Sequence, residues 1–382
     1  MLAVCLTTLI GLSAMAVDVG YVMLTKNELQ NIADATALWG ARWLGHTYQE
    51  MEDYAAQQAY VCDPGQIVSD IQAVALNSYA GGVDGITVNT GDVHIGRWDP
   101  DGTPPLTETL SQPDAVSVTV RRDGAANGPI SSVFARVLGL DSFDISADAT
   151  AALTGQGESK PGELELPVGI SAYFFQGHGC NDWIKFSPTN DPDSCAGWTS
   201  WDYGANDANL RKILEERPGY ESPETIAGED TANFIGGDLS SNTFDALLTL
   251  FREKGYDYNP DTGQPIETTV VDGETVPVPG HHAEGVPLFH EDGVTRLEYP
   301  DGTPRNYHKW ETLVVVYDWY DCDNPNTSIV IAGYAMIDLT DVVGPPDKLL
   351  RGQIMCELFS NGDNRGGGGN YGTKGSIPGL VE

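Results

Sequence analysis

The residues able to do chemistry are few and scattered. His281, His282, Glu284 and His290 form the one histidine-rich cluster. Imidazole and carboxylate are zinc ligands, but these four lie in a Gly/Pro-rich stretch without the i, i+4 spacing that sets two ligands on one helix face, so a solvated loop is expected. Asp99 and Asp101 (DPDG), Asp191 and Asp193 (DPD), and Asp301 (PDGTP) are acids that calcium could use. None continues into an EF-hand loop with its glycine and terminal glutamate, and Asp beside Pro and Gly is ordinary turn chemistry. No cofactor is therefore expected, with calcium the one ion these acids could take. No GxSxG, HExxH or phosphate loop is present, so no enzyme is expected.

The six cysteines show no CxxC or Cys/His zinc pattern, and disulfides in an oxidising compartment are the expectation. Cys180 and Cys195 flank a loop of about 15 residues, and Cys322 and Cys356 sit in or beside strands that look adjacent, so those two pairs are expected. Cys62 is left over, as a buried free thiol or an intersubunit bridge. Trp183, Trp198, Trp201 and Tyr203 admit two readings: a binding platform for sugar or mineral, or core packing around a disulfide, since large aromatics usually serve burial.

The chain that must position these groups has 382 residues, enough for two domains, and carries 55 acidic against 20 basic residues, a net charge of −35. There is no cationic surface to release counterions from phosphate, which excludes nucleic acid and disfavours anionic lipid headgroups.

Residues 1–17 are continuously apolar, and with Asp18 tolerated the apolar run reaches Lys26, long enough to enter a bilayer. The basic n-region of a signal peptide is missing, so the run is read as an anchor, with its true start upstream or at a processed terminus. Beyond Lys26, Leu29, Ile32, Ala33, Thr36, Gly40, Trp43 and Leu44 recur at helical steps, and no proline precedes Pro64. One helix from about residue 2 to 44 is expected, with Leu2, Leu6, Leu9, Ile10, Val17, Val19, Tyr21 and Leu24 in lipid or a helix bundle and Leu29, Ile32 and Ala33 on its own domain. Asp18 is either hydrated at an interface or paired with a cation such as a neighbouring subunit's terminal amine.

The fold class expected is α+β. A membrane or filament-core helix and amphipathic stalk occupy residues 1–45, and a small helix-plus-sheet module residues 46–153. Within it DAVSVTVRR is an alternating strand, ITVNTGDVHIGRWDPDGT two short strands around a turn and NGPISSVFARVLGL a short helix. A polar linker follows at 154–163, then a β-rich second domain at 164–382 with a few helices. The glycine-rich stretch GGGGNYGTKGSIPGLVE reads as a flexible tail.

Ala16-Val17-Asp18-Val19-Gly20-Tyr21, then Glu28-Leu29-Gln30-Asn31 and Ala33-Asp34-Ala35, resemble the N-terminal segment of the TadE/TadG-like proteins of Tad (Flp) pilus assembly, relatives of type IV pilus systems. Gly96-Arg97-Trp98-Asp99, the VTVRR strand and ARVLGL extend the resemblance to about residue 153, and the region from LPVGI to the C-terminal tail resembles the C-terminal part of larger TadG-like proteins more weakly. Small residues (Ala33, Ala35, Ala37, Gly40, Ala41) suit close approach to a neighbouring helix. The resemblance implies a structural, non-catalytic filament component. It would be held by its first helix in the inner membrane or in a bundle of copies, or joined to other pilus components, with acidic domains at the cell surface. If Met1 is the mature start, the glutamate that pilins of these systems carry at the fifth mature position has no counterpart, residue 5 being Cys5, so filament subunit and anchored assembly factor both stay open. Some TadG-like proteins carry a DxSxS metal site; Asp238-Leu239-Ser240-Ser241-Asn242 departs from it at the last position, so metal-dependent adhesion is not carried over. A secreted adhesin is the alternative.

Overall fold

The computed structural model describes residues 2–100, 102–186, 194–236, 239–271, 273–290, 292–322, 325–345, 348–356, 366–371 and 377–381, with side chains from residue 15 onward in the first helix. The chain is α+β and divides into two compact units. Unit 1 holds residues 1–50, 55–154 and 377–382, and unit 2 holds 51–54 and 155–376.

Unit 1 is led by α1, Leu2–Gln49, which runs five residues beyond the expected end. Leu29, Ala33, Ala37, Ala41 and Leu44 are fully buried along one face. That stripe lies on an antiparallel sheet of β1 (Val93–Trp98), β2 (Leu106–Glu108), β3 (Ala115–Arg122) and β4 (Ile145–Gln156), in the order β2-β1-β3-β4. Val116, Val118 and Val120 alternate inward along β3 and are buried, as the period-2 pattern requires. A short helix α2 (Tyr54–Ala59) is followed by α3 (Pro64–Ala75). Asp63 caps α3 by accepting from the Gly65 N–H at 2.9 Å, and Pro64 occupies the first helical position, where its missing N–H costs nothing. The edge of β4 is completed by a strand from far along the chain, Ile377–Val381, paired antiparallel with Thr150–Thr154.

Several local expectations change. ITVNTGDVHIGRW gives one strand, β1, preceded by a 3-10 turn at Thr90–Asp92. NGPISSVFARVLGL forms no α-helix: it gives the two-residue strand Ile130–Ser131 and a 3-10 turn at Ala135–Leu138, ended by Gly139 at φ +84°. Residues 154–163 carry the end of β4 and a short strand, Glu158–Ser159, paired with Thr225–Ile226. The glycine-rich stretch is no free tail where it is described: Gly366 and Gly368 pair with Gln156 and Gly155, and Ile377–Val381 is in a sheet. Among the described residues, no helix is long and apolar enough to cross a membrane, which says nothing of barrels. The expected transmembrane helix is therefore not supported. The side chains of Leu2, Leu6, Leu9 and Ile10, on which that expectation rests, lie outside the described residues.

Gly40 is where α1 meets β3 and α3 most closely. A Cβ there would lie 2.9 Å from Val116 Cγ1 and 3.1 Å from Ile71 Cδ1. Gly40→Val is expected to destabilise unit 1 by about 1–3 kcal/mol through overpacking. In Gly40→Ala the ~1 kcal/mol gain in helix propensity offsets much of the crowding. Urea unfolding of the two variants checks this ordering.

Unit 2 is built on β5 (Val168–Ser171), β6 (Trp183–Phe186), β7 (Ala196–Thr199), β8 (Thr231–Ile235), β9 (Tyr256–Asp257), β10 (His308–Tyr317), β11 (Ser328–Val343) and β12 (Leu349–Ile354), with helices α4 (Asp207–Leu214) and α5 (Ser241–Lys254). The order is β6-β12-β11-β8-β7-β5-β10-β9, and β11 also pairs with β10, so the hydrogen-bonded path β11-β8-β7-β5-β10 closes on itself. The sixteen residues of β11 make this possible, because its start pairs with β8 and its middle with β10. Both faces are covered. Val314, Val316, Trp198 and Phe244 belong to one core cluster, and Leu313, Val315, Tyr317 and Phe234 to another.

The two helices are clasped through Asp207, whose Oδ1 accepts from the Ser240 N–H at 3.0 Å and whose Oδ2 accepts from the Ser240 hydroxyl at 2.8 Å. Burial pushes this carboxyl up, but the hydrogen bonds from Ser240 and Thr243 outweigh it and hold the group below the usual carboxylate range. A depressed folded value means that the clasp contributes fully above the unfolded value of about 3.9 and is lost as pH falls through the folded one. The difference in thermal midpoint between the protein and Asp207→Asn is therefore expected to be constant above about pH 5 and to shrink as the solution is acidified below about pH 4. A midpoint series across that range measures it.

Candidate functional site

In unit 1 the functional geometry gathers around the acid in the first helix. Asp18 is 3% exposed, and its partners come from its own chain. The Val133 N–H donates to Oδ1 at 2.8 Å, the Phe134 N–H to Oδ1 and Oδ2 at 3.2 and 3.0 Å, and the Ala135 N–H to Oδ2 at 2.5 Å. These are orphan donors at the start of the 3-10 turn, and the carboxylate satisfies them from a remote part of the chain. Within its own chain Asp18 is thus buried on three backbone amides rather than hydrated. Around it the helix surface stays apolar and open. Met15, Val17, Val19, Met23 and Leu24 are exposed, Tyr21 is half-buried, and Val133, Phe134, Val137 and Leu140 of the turn are exposed too.

Further along α1 the polar residues tie the helix to the same module. Glu28 Oε2 accepts from the Gly81 N–H at 2.7 Å, and Arg122, itself buried, donates to the Ala80 and Gly81 carbonyls at 2.7 Å each and to the Gly128 carbonyl at 2.9 Å. Gln30 donates through Nε2 to Asp34 Oδ1 and to the Asp148 carbonyl, both at 2.9 Å. Arg121 pairs with Asp92 and Asp123. Ala33, Ala37, Gly40 and Ala41 are the small residues of close approach, and what they approach is the module's own sheet and α3; Ala35 is exposed. Arg121, Arg122 and Asp92 were not singled out from sequence. The signal was two arginines ending a strand in a chain with so few bases.

A long helix locked by a buried acid and by small residues onto an antiparallel sheet defines a helix-led α/β module. Residues 1–42 match the family model described as Flp pilus-assembly TadE/G-like, and residues 54–151 match that described as Tad-like Flp pilus-assembly. These matches support a Tad-like pilus-assembly protein over this N-terminal part of the chain. No curated protein and no solved structure matches it.

The remaining candidates lie elsewhere. Cys180, Cys195, Cys322 and Cys356 form two disulfides, but the pairing is Cys180–Cys356 and Cys195–Cys322, across sequence separations of 176 and 127 residues, rather than the two local pairs. Closeness in sequence misled because Cys180 precedes β6, which pairs with β12, and Cys356 follows β12. Cys62 is buried and in no disulfide within the chain, and burial pushes its thiol up. Asp99 is exposed at a turn, where its carbonyl accepts from the Gly102 N–H at 3.0 Å; Asp101, Asp191 and Asp193 lie outside the described residues. Asp301 is ion-paired with Arg252 at 2.8 Å. Trp198 and Trp201 are core residues at 0% and 2% exposure, while Trp183 is stacked by Arg351, so the four aromatics form no common platform.

The histidine cluster divides. Glu284 and His290 are exposed, and the His282 ring meets Glu267 and the Val278 carbonyl. His281 instead turns inward to join two residues not singled out from sequence, Asp257 and His308. Asp257 is fully buried at its side chain; its Oδ2 accepts from the His282 N–H at 2.9 Å and from Asn306 Nδ2 at 2.6 Å. Both histidines place Nδ1 against its Oδ1, at 2.9 Å for His281 and 2.8 Å for His308. Burial raises the Asp257 carboxyl, but the hydrogen bonds from His281 and His308 outweigh it and hold the group far below the usual range.

Proposed function

We propose that this chain is a structural, non-catalytic component of a Tad/Flp-type pilus system. In this reading the first helix is lodged by its apolar front in the inner membrane or among like helices, and the acidic units stand at the cell surface. The observation that carries the reading is the closed Asp18 contact. It fixes where the helix stops being free: residues from Asp18 onward are bound to their own module, so the part available to lipid or a bundle is the apolar stretch before it, together with the open face at Met15–Leu24. The TadE/G-like matches over residues 1–42 and 54–151 support the same setting.

Between filament subunit and anchored assembly factor, the closed Asp18 favours the second. A carboxylate already holding three amides of its own chain has little left to offer a neighbour as a register device. Shearing of cells followed by sedimentation separates the two. Recovery with the membrane, released by detergent and absent from the sheared fraction, is the expected result; recovery with sheared filaments makes the chain a subunit, and release as a free soluble protein overturns both.

A further inference from the structure

We propose that Asp257, His281 and His308 form a binding site for one divalent transition-metal ion of the zinc type, which staples the base of the long turn-rich segment in unit 2. The proposal is independent of the pilus reading. The three ligand atoms all lie within 4.8 Å of one another, and they come from β9, the turn-rich segment and the start of β10.

The hydrogen-bond inventory points to a cation at this spot. His308 Nε2 lies 3.1 Å from the Phe251 carbonyl, which can only accept, so that nitrogen carries a proton. Nδ1 faces Asp257 Oδ1 at 2.8 Å, so in a neutral ring two lone pairs would meet, and the space between them must hold either a second ring proton or a metal ion. The His281 Nδ1 converges on the same oxygen from a ring 4.3 Å away, centroid to centroid.

The surroundings have the form metal sites use, in which each ligand is oriented by a second hydrogen bond. His308 is held by the Phe251 carbonyl. His281 Nε2 lies 3.0 Å from the Tyr299 hydroxyl, which can take either role. Asp257 Oδ2 is occupied by Asn306 and the His282 amide, which leaves Oδ1, faced by the two imidazole Nδ1 atoms, as the oxygen turned towards the ion. Backbone closes in without side chains. A Cβ at Gly285 would lie 2.4 Å from Asp257 Oδ2, and one at Gly255 would lie 2.5 Å from His308 Nε2. Two imidazoles and one carboxylate suit zinc and its neighbours rather than calcium or magnesium, which prefer oxygen. Tetrahedral metal–ligand bonds of about 2.0–2.2 Å set ligand atoms about 3.3–3.6 Å apart, so the two N···O pairs at 2.9 and 2.8 Å would have to open by roughly half an ångström. The His281 side chain is 17% exposed, which gives a water the fourth position and the ion a way in.

The test uses the full purified chain, incubated with zinc and desalted, with metal counted by mass spectrometry and thermal midpoint read in parallel. One equivalent of zinc per chain, a midpoint raised by several degrees and both effects reversed by a chelator are expected. Cobalt should give the visible absorption of a tetrahedral site with nitrogen ligands. His281→Gln, the least buried of the three positions, should lose the zinc and the cobalt spectrum while keeping both disulfides, and His46→Gln in α1 should change nothing. A chain that takes up no zinc at about tenfold excess, with a midpoint indifferent to zinc and chelator, overturns the site. So does a His281→Gln protein that still binds a full equivalent.

Discussion

Replacing Cys195 and Cys322 together by alanine lowers the stability of unit 2 by about 2–5 kcal/mol, and removal of the Cys180–Cys356 bond acts similarly. Both bonds close loops of well over a hundred residues, so each removes much freedom from the unfolded chain. Cys195 lies in the main core cluster, with Cys322 packed against it. Denaturant unfolding of each double variant, in a reductant-free buffer, gives the magnitude. The connectivity is checked separately: a protease map without reductant should join the peptide of Cys180 to that of Cys356. A peptide joining Cys180 to Cys195 would contradict the fold of this unit, because β6 could not then pair with β12 as it does.

Asp18→Ala detaches the 133–140 turn from the first helix. Four hydrogen bonds to three amides are lost at once, and alanine offers no acceptor in their place. Buried amides left without partners are costly, so the turn is expected to open rather than stay in position. In hydrogen exchange the amides of residues 133–135 should lose protection by roughly tenfold or more, while those of β3 stay protected. Asp18→Glu should not rescue, because the longer side chain carries the carboxylate past the three donors. If the Asp18→Ala turn exchanges like the wild-type one, the acid is incidental and the boundary it sets in the helix disappears with it.

Much of this architecture was legible in the residues. The stripe Leu29, Ile32, Ala33, Thr36, Gly40, Leu44 named the buried face of α1, and alternation named β3. The long strands β10 and β11 and the helices α4 and α5 announce themselves through apolar runs and caps such as Ser240. What failed to show was everything set by distant pairing. Asp18 meets Val133 more than a hundred residues away, and no local pattern encodes that contact. The cysteine connectivity depends on which strands become neighbours. His281 looked like one of four loop histidines because its partners, Asp257 and His308, stand 24 and 27 positions off (281 − 257 and 308 − 281). The glycine-rich segment read as slack because composition reports flexibility and cannot report that a remote edge is waiting for it.

That edge has a consequence for how the protein is made. Unit 1 is interrupted in the chain: residues 155–376 must be synthesised between β4 and the strand Ile377–Val381 that pairs with it. While a nascent chain emerges, β4 presents a row of unsatisfied N–H and C=O groups until those late residues arrive, and an open edge invites pairing with the wrong partner. Charge offers one safeguard, since like-charged chains this acidic keep their distance in dilute salt and lose that protection as ionic strength rises. Of the two units, the one that is begun earlier is thus finished later.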